Sequence, residues 1–463
     1  MPKAGASSTH SKRFAQFGCG SALLWPSRLC GLAVPPLLAW LQRRIPGLCW
    51  LRIAAVILIV MAGGTLFGAD DAPIDPVRGR ALMQKSQRGE TLTPEESAYL
   101  DRVRAEIHRR IAQKRGTAPP AADTASVARV DWSSLVPLTD LTKTYKGQDG
   151  GLYGAGQNEP PLAHRSAWVK ACAQVQPLDA AGRPARDGKI VLLTVGFSNT
   201  HLESEDFVRT GSADAQKSPS VVLVDGAIGG RAAVMWAYDG SDRLPKAEQE
   251  RLDHEMDVLH MPKLHRGNRQ VPEDRDTWPT LELRLKQAGV TPAQVQAVWM
   301  KHVQAGAVAL GEFPAHAKAL EADLADILVI AKQRLPNLRV AFFSSRTYGG
   351  WAKPTAGSPE PCAYESGFAV RALLQRQING DPLLNYDAAR GEVKAPVALW
   401  GPYLWACGDR PRKSDGLVWT LQDVRSNDHM HPSEAGCRKV TEQLLKFLKT
   451  DRGTRQWFLK PGA

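Results

Sequence analysis

Beyond residue 188, five short apolar runs punctuate the chain, at 189–195, 220–224, 295–300, 338–343 and 396–400. The first, Lys189-Ile190-Val191-Leu192-Leu193-Thr194-Val195, is dominated by β-branched and aliphatic residues and is bounded by Asp187-Gly188 and Gly196. Runs of this length without polar alternation read as strands buried on both faces, the situation of a parallel sheet. Between them lie stretches of helical periodicity, notably Thr277–Ala288, His316–Arg334, Glu365–Gln377 and Ser433–Lys449. In the last of these Val440, Leu444 and Leu448 recur every four residues and mark its buried face. Strands alternating with helices predict an α/β fold, a five-stranded parallel sheet covered on both faces as a three-layer α/β/α sandwich.

The pattern changes toward the N-terminus. Residues 1–69 contain no Asp or Glu and seven Lys or Arg, and a charge-free run of seventeen residues, Ile53 to Ala69, follows Arg52. Basic residues, then an apolar core, then small residues describe a signal peptide or signal anchor. Its length is marginal for crossing about 30 Å of hydrocarbon, so cleavage and anchoring both fit. The expectation is an exported protein, periplasmic or extracellular, tethered to the membrane if the segment is kept. Residues 70–115 form a charged helical segment in which Thr93-Pro94-Glu95-Glu96 starts a helix, with Thr93 as cap and Tyr99, Val103, Ile107 and Ile111 as an apolar stripe. Residues 116–130, rich in Ala, Pro and Thr, read as a linker, and 131–463 as the globular unit.

Charge and cysteines refine this division. The formal charge of +12 falls to +5 for residues 70–463 once the seven cations of the first segment are set aside. The high isoelectric point is then no argument for nucleic acid, and none is expected as a partner. Cys172, Cys362, Cys407 and Cys437 remain outside the export segment; they allow two disulfides by three pairings, or four buried thiols.

The chemistry lies in a loop before the last helix. Asp428-His429-Met430-His431 places a carboxylate and an imidazole three residues apart, so that His431 is a candidate base and Asp428 its orienter. A serine hydroxyl needs such a base to become a nucleophile. In open α/β sheets the partner belongs on the rim beyond the C-terminal ends of the strands, and Gly196-Phe197-Ser198 leaves the first strand there. Ser198 is the candidate nucleophile. Other chemistries lack their motifs: there is no phosphate-binding loop, no dinucleotide fingerprint and no Gly-x-Ser-x-Gly elbow. His254, His260 and His265, interspersed with Asp253, Glu255 and Asp257, match no zinc spacing and read as a polar surface segment. The tryptophans at 236, 278, 299, 351, 400, 405 and 419 read first as core and interface residues.

Strand-Gly-x-Ser early in the domain, paired with Asp-x-x-His-Pro before the last helix, resembles the SGNH hydrolase superfamily, also called GDSL esterases. The likeness spans roughly Lys189 to Leu448 as short islands. Phe343-Ser344-Ser345-Arg346-Thr347-Tyr348-Gly349-Gly350 and Trp400-Gly401-Pro402-Tyr403-Leu404-Trp405 are similar to an uncharacterised extracytoplasmic branch of it. The resemblance implies flavodoxin-like winding and a Ser198-His431-Asp428 triad. It also implies an oxyanion hole built from the N–H of Ser198 and of Gly229 or Gly230, in the block Val221 to Arg231. The family's Gly-x-Asn-Asp is missing after the third strand, where Lys301-His302-Val303-Gln304 stands, and Gln304 is the expected substitute donor, with Lys301 and His302 as further candidates. Phe197 stands where the family's Asp precedes the serine. No metal or organic cofactor is implied. The function expected is a serine esterase, with an ester-bearing small molecule or polysaccharide as substrate. An acyltransferase on the same triad, or a non-catalytic carbohydrate- or envelope-binding homologue, is the alternative.

Overall fold

A computed structural model describes residues 74–87, 92–114, 131–238, 246–260, 277–353 and 357–462. The N-terminal segment expected to direct export, the expected 116–130 linker and His265 lie outside these described residues.

All five expected strands form, as β1 (Ile190–Gly196), β2 (Val221–Asp225), β3 (Val295–Lys301), β4 (Val340–Phe343) and β5 (Val397–Trp400). They pair in parallel in the order β2-β1-β3-β4-β5, the winding of flavodoxin-like sheets. Every position of β1 and β3 is buried, which is why these segments appear as unbroken apolar runs.

The α-helices among the described residues are α1 (Pro76–Gln87), α2 (Pro94–Lys114), α3 (Leu162–Cys172), α4 (Ser198–Ser212), α5 (Ala233–Ala237), α6 (Lys246–Val258), α7 (Thr277–Gln287), α8 (Ala315–Arg334), α9 (Cys362–Ile378), α10 (Glu434–Thr450) and the single turn α11 (Arg455–Phe458). They flank the sheet, with α4 packed on α10 and α8 on α9, so the unit is a three-layer α/β/α sandwich. Trp236, Trp278, Trp299 and Trp405 are fully buried, as the core reading expects, whereas Trp351 is half-buried. Cys172, Cys362, Cys407 and Cys437 are free and buried, so neither disulfide forms.

Before the sandwich, Thr93 and Glu96 exchange hydrogen bonds at the start of α2, with Glu96 N–H to Thr93 Oγ1 at 3.1 Å and Thr93 N–H to Glu96 Oε2 at 2.9 Å. This is a capping box. Lys85 of α1 reaches the same carboxylate at 2.7 Å. Val103 of the expected stripe is buried, as are Leu82 and Leu100.

Helix α4 has no counterpart in the apolar pattern because the face it buries is polar. Asn199, Thr200, Glu203, Ser204, Phe207 and Gly211 are its buried residues, and only Phe207 is a large hydrophobe. The polar ones are satisfied by the sheet: Thr200 Oγ1 donates to Lys301 O at 2.7 Å, and Ser204 Oγ donates to Thr194 Oγ1 at 2.8 Å. Glu203 takes the ammonium of Lys301 on both oxygens, with each partner's side chain at 0% exposure. Buried polar groups are tolerated when paired in this way. The close approach also fixes Gly196, where a Cβ would lie 2.4 Å from Lys301 O and 2.6 Å from Thr200.

Candidate active site

Ser198 is the first residue of α4, directly beyond the last residue of β1 and Phe197. The first N–H groups of a helix have no intrahelical acceptor and sit at the positive end of its dipole, so the Ser198 N–H is available to an anion. Ser198 Oγ lies 2.9 Å from His431 Nε2. On the other side of the ring, His431 Nδ1 is 2.6 Å from Asp428 Oδ2. Residues 233 apart in sequence are thus joined in one hydrogen-bond chain, in the order that a nucleophile, its base and an orienting carboxylate would take. His431 and Asp428 keep side-chain exposures of 24% and 33%, so the site opens to solvent.

Asp428 also organises its own loop. Its Oδ1 accepts the N–H groups of Met430 and His431, each at 2.9 Å. Burial works to raise its pKa, but the His431 ring and these two N–H groups outweigh burial and hold the carboxyl at about 2. His429, between them, has φ +52, the left-handed region that a non-glycine residue seldom adopts. Arg425 N–H to His431 O and His429 N–H to Arg425 O, both 2.8 Å, close the loop. Beyond it, Ser433 caps α10 by accepting Gly436 N–H. Asn199 donates from Nδ2 to Met430 O at 2.9 Å, tying the loop to the residue after Ser198.

The glycine block after β2, expected to supply oxyanion donors, is tied to the end of β1: Ile228 N–H donates to Gly196 O at 3.0 Å. Residues 228–231 form a tight turn, with Arg231 N–H to Ile228 O at 3.2 Å and Gly230 at φ +77, a position a turn of this kind reserves for glycine. Both glycines are exposed, and a Cβ on Gly229 would meet open space. Arg284 of α7 clamps the block, with Nη1 donating to Ala227 O at 2.5 Å and to Asp225 Oδ2 at 3.2 Å. Asp225 is shared with His201 of α4, whose Nδ1 is 2.5 Å away. This second His–Asp pair was not visible as a motif; the Ser198 hydroxyl bonds His431 instead.

The third donor is not where the sequence places it. The Gln304 amide donates from Nε2 to Glu255 Oε1 at 2.6 Å and to Asp323, and its Oε1 accepts the Val234 N–H at 3.4 Å. The loop leaving β3 is held under α5, where Val303 O accepts the Ala233 N–H, and residue 304 faces α6 and α8. Lys301 is likewise committed to Glu203. His302 is buried against Trp236, ring centroids 5.6 Å apart, with both nitrogens unpartnered. Burial pushes its pKa down to about 3, so the ring is neutral.

The segment read as polar surface is also partly interior. Glu255 is 3% and Asp253 9% exposed, because Arg251 gathers Glu248, Glu255, Asp323 and Asp326 at 2.6, 2.6, 3.0 and 2.7 Å. Among the described residues the group best composed for a metal is His316, Cys362 and Glu365. Its carboxylate already takes Tyr145, Lys146 and His316 at 2.7, 3.0 and 2.8 Å, and burial pushes the Cys362 thiol up to about 11. A cleft lined by Gln377, Asp381, Tyr386 and Arg390 lies by the start of β5, where Gln377 bonds Pro396 and Ala398. That is the rim opposite the triad.

Among the described residues no helix is long and apolar enough to cross a membrane. Compared with known proteins, the sequence matches no family model and no curated protein.

Proposed function

We propose that the protein is an exported serine esterase that removes an acyl group from a carbohydrate or a related envelope or extracellular polymer. The observation that carries this reading is the hydrogen-bond chain Ser198 Oγ to His431 Nε2 at 2.9 Å and His431 Nδ1 to Asp428 Oδ2 at 2.6 Å, on the C-terminal rim of a parallel sheet. The likeness of its motifs to SGNH hydrolases supports the same class.

In this mechanism Ser198 Oγ attacks the acyl carbon as its proton passes to His431 Nε2. The charge that develops on the carbonyl oxygen meets the N–H of Ser198 and of Gly229 or Gly230. The tetrahedral species collapses, the C–O bond to the alcohol breaks, and His431 returns its proton to the leaving oxygen. Water then attacks the acyl-enzyme with His431 again as base, releasing the acid and restoring Ser198. Asp428 keeps the imidazole in the tautomer with its proton on Nδ1 and stabilises the imidazolium. A carbohydrate substrate is supported by Tyr348 and Trp351, half-buried and edge-to-face at 4.7 Å on the loop leaving β4, since aromatic faces suit sugar rings. Export is supported by the composition of residues 1–69.

The test is hydrolysis of p-nitrophenyl acetate, and release of acetate from acetylated polysaccharide, by the wild type and by Ser198→Ala. The reading predicts turnover that Ser198→Ala lowers about 10³-fold or more; equal rates in the two proteins overturn it.

A further inference from the structure

The loop leaving β4 carries a buried cation that no described residue neutralises by contact. Arg346 is 3% exposed, and its side chain makes neither an ion pair nor a hydrogen bond among the described residues. Of its three side-chain nitrogens only Nε is sealed from solvent without a partner, so Nη1 and Nη2 retain an opening to solvent. The backbone is fixed on both sides: Arg346 N–H donates to Ser366 Oγ, and Ser345 Oγ donates to Arg346 O, each at 3.1 Å. The backbone from which the fork extends is therefore held in place, and burial to 3% exposure confines the side chain.

Two carboxylates lie close enough to attract it, Glu203 and Glu360, and both are already engaged. Glu203 is bound by Lys301 on both oxygens. Glu360 accepts the N–H groups of Gly349 at 2.9 Å, Tyr364 at 2.8 Å and the Trp405 indole at 2.7 Å. A charge withdrawn from water costs several kcal/mol unless a partner completes it, and a guanidinium presents a planar fork shaped for carboxylate or phosphate. The position is the catalytic rim. β4 neighbours β3 and β3 neighbours β1, Lys301 feels both Glu203 and Arg346, and Glu203 belongs to the helix that Ser198 begins.

We propose that Arg346 recognises an anionic group, a carboxylate or phosphate, carried by the substrate, so that the polymer deacylated at Ser198 is an acidic one. The turnover part of this inference rests on the esterase reading; the binding part does not. The full chain carrying Ser198→Ala is titrated calorimetrically with methyl glucuronide, methyl glucoside 6-phosphate and neutral methyl glucoside, at low and high salt. The expected result is that one of the two anions binds at least about tenfold more tightly than the neutral sugar, a difference of about 1.4 kcal/mol, and that salt narrows the gap. Arg346→Gln in the same background erases the preference and Arg346→Lys keeps part of it. Which anion binds distinguishes a uronate from a phosphorylated polymer. If neither anion binds more tightly than the neutral glycoside, or the preference survives Arg346→Gln, the proposal is overturned. A preference that holds in a protein whose wild type hydrolyses no ester sinks the esterase reading and leaves the Arg346 site standing.

Discussion

Asp428 serves two purposes with one carboxylate: Oδ2 orients His431, and Oδ1 holds the loop that carries it through two backbone N–H groups. Asp428→Asn keeps the size but loses the charge that stabilises the imidazolium, and it invites the wrong tautomer. Its kcat for an aryl acetate is expected to fall by on the order of 10³- to 10⁴-fold with KM little changed; steady-state kinetics checks this. The same residue links stability to pH. Its folded-state pKa, about 2, lies below the ordinary 3.8, so the stability it contributes is complete above the unfolded value and is lost as pH falls through the folded one. Urea midpoints of wild type and Asp428→Asn should differ at weakly acid pH, and the gap should close as pH drops from about 4 toward 2. A gap that stays fully open down to about pH 2 would contradict the assigned hydrogen bonds.

At the scale of elements, α4 explains both what the sequence showed and what it hid. β1 to β5 were legible because a strand buried on both faces must be apolar throughout, and α10 because Val440, Leu444 and Leu448 form one stripe. The meeting of Ser198, His431 and Asp428 was legible from strand context, since Ser198 and the 428–431 loop each adjoin a legible element. Helix α4 was not legible: it buries Asn199, Thr200, Glu203 and Ser204, and polar residues carry no hydrophobic period. Gln304 was misplaced for a related reason, as the direction of the loop after β3 depends on Val303 O bonding Ala233 N–H, a contact that no local pattern encodes. The Glu203–Lys301 pair is the most exacting joint of α4. Glu203→Gln leaves a buried ammonium unpaired and is expected to cost about 3–5 kcal/mol, read as a lowered urea midpoint. Replacing both partners by apolar residues of similar volume, Glu203→Leu with Lys301→Met, should recover most of that loss. If Glu203→Gln alone proves neutral, the pair does not anchor the helix.

At the scale of the molecule, the sandwich brings to one rim the ends of β1, β2, β3 and β4 and the loop before α10. Ser198, the glycine turn, the Tyr348–Trp351 pair and Arg346 all lie beyond the C-terminal ends of strands, where doubly wound sheets hold their ligands. Between β2 and β3, α7 holds the glycine block through Arg284, and α6 is joined to α8 through Arg251. The proposed function requires this rim to activate Ser198 as a nucleophile. That is tested most directly by treating the protein with a fluorophosphonate, which phosphonylates an activated serine, and mapping the adduct by peptide mass spectrometry. A single adduct on Ser198 is expected, formed in wild type and suppressed in His431→Ala. An unlabelled Ser198, or labelling that persists undiminished in His431→Ala, would contradict it.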